Sequence, residues 1–278
     1  MKAWRDSIQK LLMFYIPLTV GLAFILIPIY WLVTMSLKRG VDISAIPPQI
    51  FRFDVIWGNW EFILVSGPPY LRYLRNSFVI ASSTALISIV VGGLAAYSLA
   101  RLRFRGRHIF MFWILTARIL PPVVIGIPFY LFMRRLGIID TYLAVVLSHT
   151  SFVMPMAIWV MTTFFQQIPL AIEESAKVDG ATPIQAFFLI VVPVSISGVT
   201  AAGILSFIFS WNEFFYSLIM AGTRTRPMTV AVAGFQGSIS INWGQMAAAS
   251  VLTILPLVLL FIFAQKHLVS GLTGGAID

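Results

Sequence analysis

Residues 166–193 read QQIPLAIEESAKVDGATPIQAFFLIVVP, a hydrophilic stretch with two sets of helix-boundary signals. Pro169 suits the first turn of a helix, and Glu173 and Glu174 stand near its positive N-terminal end, where aligned peptide dipoles favour anions. Glu173 and Lys177 are spaced i, i+4 in the favourable order. Gly180 fits the left-handed position that ends helices. Thr182, Pro183 and Gln185 then supply an N-cap, an N1 proline and an N3 glutamine, the pattern of a capping box. Ile184, Phe187, Phe188 and Val191 recur at helical spacing, so a second helix carries one apolar face towards Pro193. The segment reads as helix, glycine turn, helix. Two readings stay open: a well-capped connector lying at a membrane surface, or a rigid knob that docks in a partner's groove.

What surrounds this segment is apolar. Of the 278 residues 59% are hydrophobic and 10% charged, with mean hydropathy +0.92, which excludes a water-soluble globule. The net charge of +9 belongs to membrane flanks and not to a nucleic-acid surface. The absence of Cys excludes disulfides, thiolate nucleophiles and Cys metal sites. A hydrocarbon core about 30 Å thick needs about 20 apolar helical residues. Six blocks meet that length, over 11–37, 76–100, 108–133, 141–165, 190–220 and 245–268, leaving 166–189 as the one sizeable hydrophilic connector on its side. The expected fold is an all-α bundle of six transmembrane helices, one domain over 1–278, embedded in a lipid bilayer.

With the N-terminus inside, nine Lys and Arg fall on each side outside the spans, so the raw count does not orient the chain. Density does: Arg101, Arg103, Arg105 and Arg107 crowd one short loop, whereas five outer charges are spread over 38–75, and short loops weigh most. Both termini are expected inside. The first block is far longer than a secretory h-region and reads as a retained anchor. The outer segment, with Pro47-Pro48, Pro68-Pro69, Trp57 and Trp60, reads as a loop or small cap.

Glu174-Ser175-Ala176, then Gly180, then Ile190, Val192 and Pro193 closely resemble the EAA motif, E-A-A-x3-G-x9-I-x-L-P, of inner-membrane permease subunits of ATP-binding-cassette importers. Ser175 replaces the first alanine and Val192 the leucine, both small changes. The stretch from Glu173 to Ala181 is similar to the form found in maltose-type carbohydrate importers. Arg75-Asn76-Ser77, RILPP from Arg118, WNEF from Trp211 and GLTGGA from Gly271 also resemble the MalG-like subunit of that family. The resemblance implies a type I importer permease that pairs with a second, MalF-like permease, while two ATPase subunits receive the motif's helix in surface clefts. An extracytoplasmic binding protein delivers a sugar, oligosaccharide or polyol. Glu173, Glu174, Ser175, Ala176, Asp179, Gly180, Ile190 and Pro193 are then the coupling positions, and Gly271, Leu272, Thr273 and Gly274 a tail contact with the ATPase. The chain itself binds no cofactor, ATP-Mg being used by the partner. The location implied is the bacterial inner membrane.

Arg118 and Glu213 are the ionisable residues deepest in apolar sequence, each costing about 2.5–3.5 kcal/mol at mid-bilayer on insertion scales. With Asn212 they line a pathway or gate, or they fix packing by pairing with each other or with the partner permease. His149, between Ser148 and Thr150, reads as a hydrogen-bonded packing element rather than a proton relay. Gly92-Gly93 should allow close helix contact. Neither a phosphate loop nor H-E-x-x-H nor G-x-S-x-G occurs, so no catalytic or metal site is expected and ATP must be hydrolysed elsewhere. The competing class is an ion-coupled secondary carrier using Arg118 and Glu213.

Overall fold

The computed structural model describes residues 11–102, 104–237 and 241–273, which fold as helices and connecting turns. They fall into two compact units, Met1–Tyr70 with Val232–Leu255 and Leu71–Ala231 with Pro256–Asp278.

In the first unit, a π turn at Leu11–Tyr15 leads into α1 (Ile16–Ser36). The apolar length Leu12–Ser36 has mean hydropathy 2.3 and is exposed along residues 12–30, as suits a helix facing lipid or another subunit. Its end is tightly held. Lys38 is fully buried, donates from Nζ to the Gln49 carbonyl at 2.5 Å, and lies 4.5 Å over Trp31 and 4.4 Å over Phe53. Burial pushes its ammonium pKa below the ordinary value. Asn59 donates to the carbonyls of Ser36 and Lys38. The proline-rich segment after α1 is therefore a folded cap.

The second unit is built on α2 (Tyr70–Arg101), which begins a turn and a half before the expected start at Asn76. The stretch 108–133 is not one span. It is α3 (Arg107–Thr116) and α4 (Pro122–Arg135), separated by a turn. Pro121-Pro122 explains the break: two backbone donors are missing, and each proline disfavours helical dihedrals in the residue before it. α5 (Tyr142–Gln167) is capped by the Thr141 hydroxyl, which accepts from the Ala144 N–H, and crosses unbroken despite Pro155. The stretch 190–220 is also broken. The helical run Pro183–Val194 meets α8 (Ile196–Trp211) at 85°, and α9 (Phe215–Met220) follows a second break. The last long helix, Trp243–Thr273, contains Pro256. Among the described residues, four helices are long and apolar enough to cross a membrane, or five if the bent pair counts as one span, against the six spans expected. Prolines inside two expected spans account for the difference.

The core that positions the hydrophilic connector joins Ala96 and Leu99 of α2, Ala157, Met161 and Phe165 of α5, and Val199 and Ala202 of α8. Gly92 meets α5 at ordinary contact distance, but the closest approach lies elsewhere: a Cβ on Gly198 would stand 2.2 Å from the Phe164 ring.

Candidate functional site

The connector starts where α5 ends. Ile168 caps α5, Pro169 precedes α6 (Leu170–Val178), and only these two residues separate the helices. At the other end of α6, Gly180 adopts φ 89°, its N–H donates to the Lys177 carbonyl at 3.1 Å, and the Ala181 N–H donates to the Ala176 carbonyl at 2.9 Å. That is a Schellman closure, and the left-handed residue it needs is the glycine read from the sequence. The capping box forms as expected: the Thr182 hydroxyl accepts from the Gln185 N–H at 3.3 Å, and Gln185 Oε1 accepts from the Thr182 N–H at 2.8 Å. α7 (Pro183–Ala186) runs into a π turn at Phe187–Val191 and a last helical turn at Val192–Val194.

The π turn changes which apolar residues face inward. Phe187 and Val191 are buried, whereas Ile184 is 66% exposed and Phe188 49%. Wider winding takes Ile184 and Phe188 off the face that simple helical spacing assigns them. Phe187 inserts between Tyr97 and Phe165, with ring centroids 5.2 and 5.9 Å away.

A second anchor is electrostatic. Glu173 is 2% exposed and bonds not to Lys177 but to α2: the Arg101 Nε donates to its Oε1 at 2.5 Å and the Tyr97 hydroxyl to its Oε2 at 3.0 Å. Arg101 Nη2 also donates to the Ile168 carbonyl at 3.0 Å, so one guanidinium ties the end of α5 and the start of α6 to the end of α2. Arg101 entered the sequence argument only as an orienting charge. It is a strut. Glu173, just before the motif, faces inward, while Glu174, Ser175, Asp179 and Gly180 are exposed, Ala176 and Ile190 half-buried, and Pro193 exposed. Val178, 87% exposed, adds an apolar point to this acidic face. The elbow is thus a short two-helix body, fixed to the bundle by one buried ion pair and one buried aromatic ring.

The intramembrane residues fall into separate places. Arg118 lies in the turn between α3 and α4, its guanidinium 4.4 Å from the Phe209 ring and 5.5 Å from Phe152, with Nη1 buried and without a hydrogen-bond partner. Glu213 sits in the break between α8 and α9. Its Oε2 accepts from the Ser217 N–H at 3.2 Å and lies 3.5 Å from His149 Nε2. Arg118 and Glu213 therefore do not pair with each other. His149 is held by Ser210 Oγ at 2.8 Å and Ser217 Oγ at 2.9 Å, hydroxyls about sixty residues away rather than its neighbours Ser148 and Thr150. Asn212 donates to the Ile208 carbonyl and closes α8. Gly271, Leu272 and Thr273 continue the last helix, and Gly274 lies outside the described residues.

One carboxylate escaped sequence reading altogether. Asp140, at φ 61°, gathers the loop before Met228: Oδ1 accepts from the N–H of Gly222 and Thr225 and from the Thr225 hydroxyl, and Oδ2 from the Arg224 N–H. Burial works to raise its pKa, but these bonds outweigh that and hold it below the ordinary carboxylate value. Asn76 donates to the carbonyls of Arg224 and Arg226 and accepts from the Tyr142 hydroxyl, while Ser77 Oγ accepts from the Met228 N–H. Asp140-Thr141 before a helix offered only an N-cap signal, which Thr141 uses; nothing local announced the loop.

Comparison with known proteins agrees with this architecture. The trehalose transport permease SugB of Mycobacterium tuberculosis is 33% identical over 266 residues, 93% of this chain and 94% of that one. The trehalose/maltose permease MalG of Thermococcus litoralis is 30% identical over 278 residues, 98% and 99% of the two chains. A chain in the crystal structure of a bacterial ABC transporter that imports the acidic polysaccharide alginate superposes with TM-score 0.80 at 20% identity, covering 94% of this chain and 97% of that one. Residues 88–274, which include the elbow, the three helix breaks and the last long helix, match the family described as binding-protein-dependent transport system inner membrane component, and the chain belongs to it.

Proposed function

We propose that the chain is one of two permease subunits lining the pathway of an ATP-driven importer for a sugar, oligosaccharide or polyol, and that the elbow 170–194 receives the mechanical input. The observation that carries this reading is the anchored elbow itself. A body exposing Glu174, Ser175, Val178 and Asp179 while hung on α2 and α5 through Glu173 and Phe187 transmits a push to the bundle instead of absorbing it. Both termini lie in the cytoplasm, which puts the elbow inside and the 221–227 loop outside. Closure of two partner ATPases, where ATP-Mg is hydrolysed, displaces this elbow and its counterpart on the second permease. The pair then rocks between inward-open and outward-open states. The sugar class is supported by the transported compounds that the two relatives' names carry.

Gly180 is the sharpest handle. It has φ 89° and open space around it, so a side chain there strains the backbone without clashing. Gly180→Val should uncouple the assembled complex, lowering uptake and binding-protein-stimulated ATPase together about tenfold, through a left-handed β-branched residue costing on the order of 1–2 kcal/mol and a distorted docking face. Full stimulation by that variant would overturn the lever. Uptake that survives ATP depletion but collapses with an ionophore would instead favour the ion-coupled carrier.

A further inference from the structure

Between the end of α2 and the start of α3 the chain places Phe104, Arg105, Gly106, Arg107, His108 and Ile109 around a cavity of about 570 Å³. Gly106, at φ 92°, makes the turn, so the basic side chains on either side of it wall one hollow. Arg105 and His108 are exposed and Arg107 is half-buried. Among the described residues none of the three makes an ion pair or a side-chain hydrogen bond. The carboxylate that meets this end of α2, Glu173, is already taken by Arg101 and Tyr97.

Orientation accounts for positive charge on a short loop, but it acts during insertion and requires no cavity. Nor does helix physics call for these charges. Arg107 and His108 occupy the first turn of α3, at the positive end of its dipole, and no acidic residue stands there with them. An anion in the cavity lies against both, and the planar forks of Arg105 and Arg107 match phosphate oxygens in two parallel bonds. The apolar part of the site points to an amphiphile. Phe104 and Phe110 pack edge to face with ring centroids 5.8 Å apart, and Ile109 and Phe110 are 62% and 59% exposed where α3 begins. A soluble anion has no use for such a rim, whereas a lipid has a phosphate for the guanidinium groups and hydrocarbon for the rings.

We propose that this cavity binds the phosphate of an anionic phospholipid headgroup, with Arg105 and Arg107 as its ligands and Phe104, Ile109 and Phe110 against the lipid's glycerol and upper acyl chains. Basic pockets between helices at a membrane surface recognise headgroups in this way. The site requires that the chain span a bilayer and is independent of the importer reading and of which face of the membrane the loop occupies.

The test places the whole complex in nanodiscs of phosphatidylcholine with about 20 mol% phosphatidylglycerol, a trace of it carrying a photoreactive group on its upper acyl chain, and maps the crosslinks by peptide mass spectrometry. The wild type should be labelled within 104–110, and R105Q/R107Q should lose about tenfold of that labelling while crosslinks to the other helices stay unchanged. R105K/R107K keeps the charge, and with it the insertion signal, but should retain less than about half the labelling, because an ammonium does not reproduce the fork. No crosslink to 104–110 in the wild type would overturn the proposal, however the variants fold. Full labelling of R105K/R107K would overturn it in favour of bulk surface charge. Equal labelling by a phosphatidylcholine probe would leave an apolar groove with no headgroup site. Displacement of the probe by millimolar inorganic phosphate would reassign the cavity to a soluble anion. Labelling that appears only once the ATPase subunits are stripped away would give the cavity to an acidic partner surface instead of lipid.

Discussion

Two carboxylates, Glu173 at one end of α2 and Asp140 at the other, hold connectors in place by different chemistry. Glu173 is buried with a full opposite charge, Arg101, and a tyrosine hydroxyl. Asp140 is held by three backbone N–H groups and a hydroxyl, with no cation bonded to it. The first arrangement concentrates the attachment of a whole two-helix body in one guanidinium. The second distributes it over a loop whose every donor is individually weak. A part that must move as one piece with α2 suits the first; a platform that must keep a fixed shape suits the second.

The comparison breaks most visibly at the ion pair. Arg101→Ala leaves Glu173 buried without its charged partner, a loss of about 3–5 kcal/mol for pairs of this kind. The complex should melt at markedly lower temperature, and stimulated ATPase should fall with it. Replacing both partners, as in R101M/E173L, removes the stranded charge and should recover much of the stability, but not the coupling, because the bond to the Ile168 carbonyl is gone as well. A wild-type melting profile for Arg101→Ala would show that the aromatic anchor at Phe187 suffices.

Asp140 should respond more gently. Asp140→Ala strands the N–H groups of Gly222, Arg224 and Thr225, for about 1–3 kcal/mol, while Asp140→Asn keeps one acceptor and should lose less. The pH dependence gives a further handle on Asp140. Because the folded pKa of Asp140 is depressed, its contribution is complete above the unfolded value of about 3.9 and disappears as pH falls through the lower folded value. Melting followed down through that window should show a loss in the wild type that Asp140→Asn lacks. An identical acid profile in both would mean that the loop does not depend on the charge.

The same contrast explains what was legible in the sequence. The elbow's turn chemistry is local: Gly180, Thr182 and Gln185 act within three or four residues of themselves, so the pattern alone announces them. The strut and the loop held by Asp140 are not local. Arg101 meets Glu173 across 72 residues, and Asp140 meets Thr225 across 85, a distance over which periodicity and propensity carry no information. The breaks at Pro121-Pro122 and near Ser195 lie between. Both lie beside prolines, but hydropathy averaged over a window runs smoothly through a bend, and whether a proline kinks or stops a helix depends on neighbours that can satisfy the freed carbonyls. Glu173 follows the same rule: its i, i+4 spacing points to Lys177, and nothing local points to the arginine on another helix.

The smallest effect tests whether the elbow is one body or two. Thr182→Ala removes the hydroxyl half of the capping box, keeping the backbone N–H that donates to Gln185 Oε1, and should cost about 1 kcal/mol, leaving Glu173 and Phe187 seated. If α6 and α7 are each fastened to the bundle by their own anchor, loosening the turn between them should leave coupling nearly intact. The losses of Arg101→Ala and Thr182→Ala should then add within about 0.5 kcal/mol, as independent sites do. If the turn itself makes the elbow rigid, the double variant should lose much less than the sum, because an elbow already unseated from α2 has little rigidity for the cap to protect. A double-mutant cycle on melting temperature and on ATPase stimulation distinguishes these cases. Additivity would assign the elbow's stiffness to its anchors at Glu173 and Phe187, and strong non-additivity would move it to the Gly180–Gln185 turn.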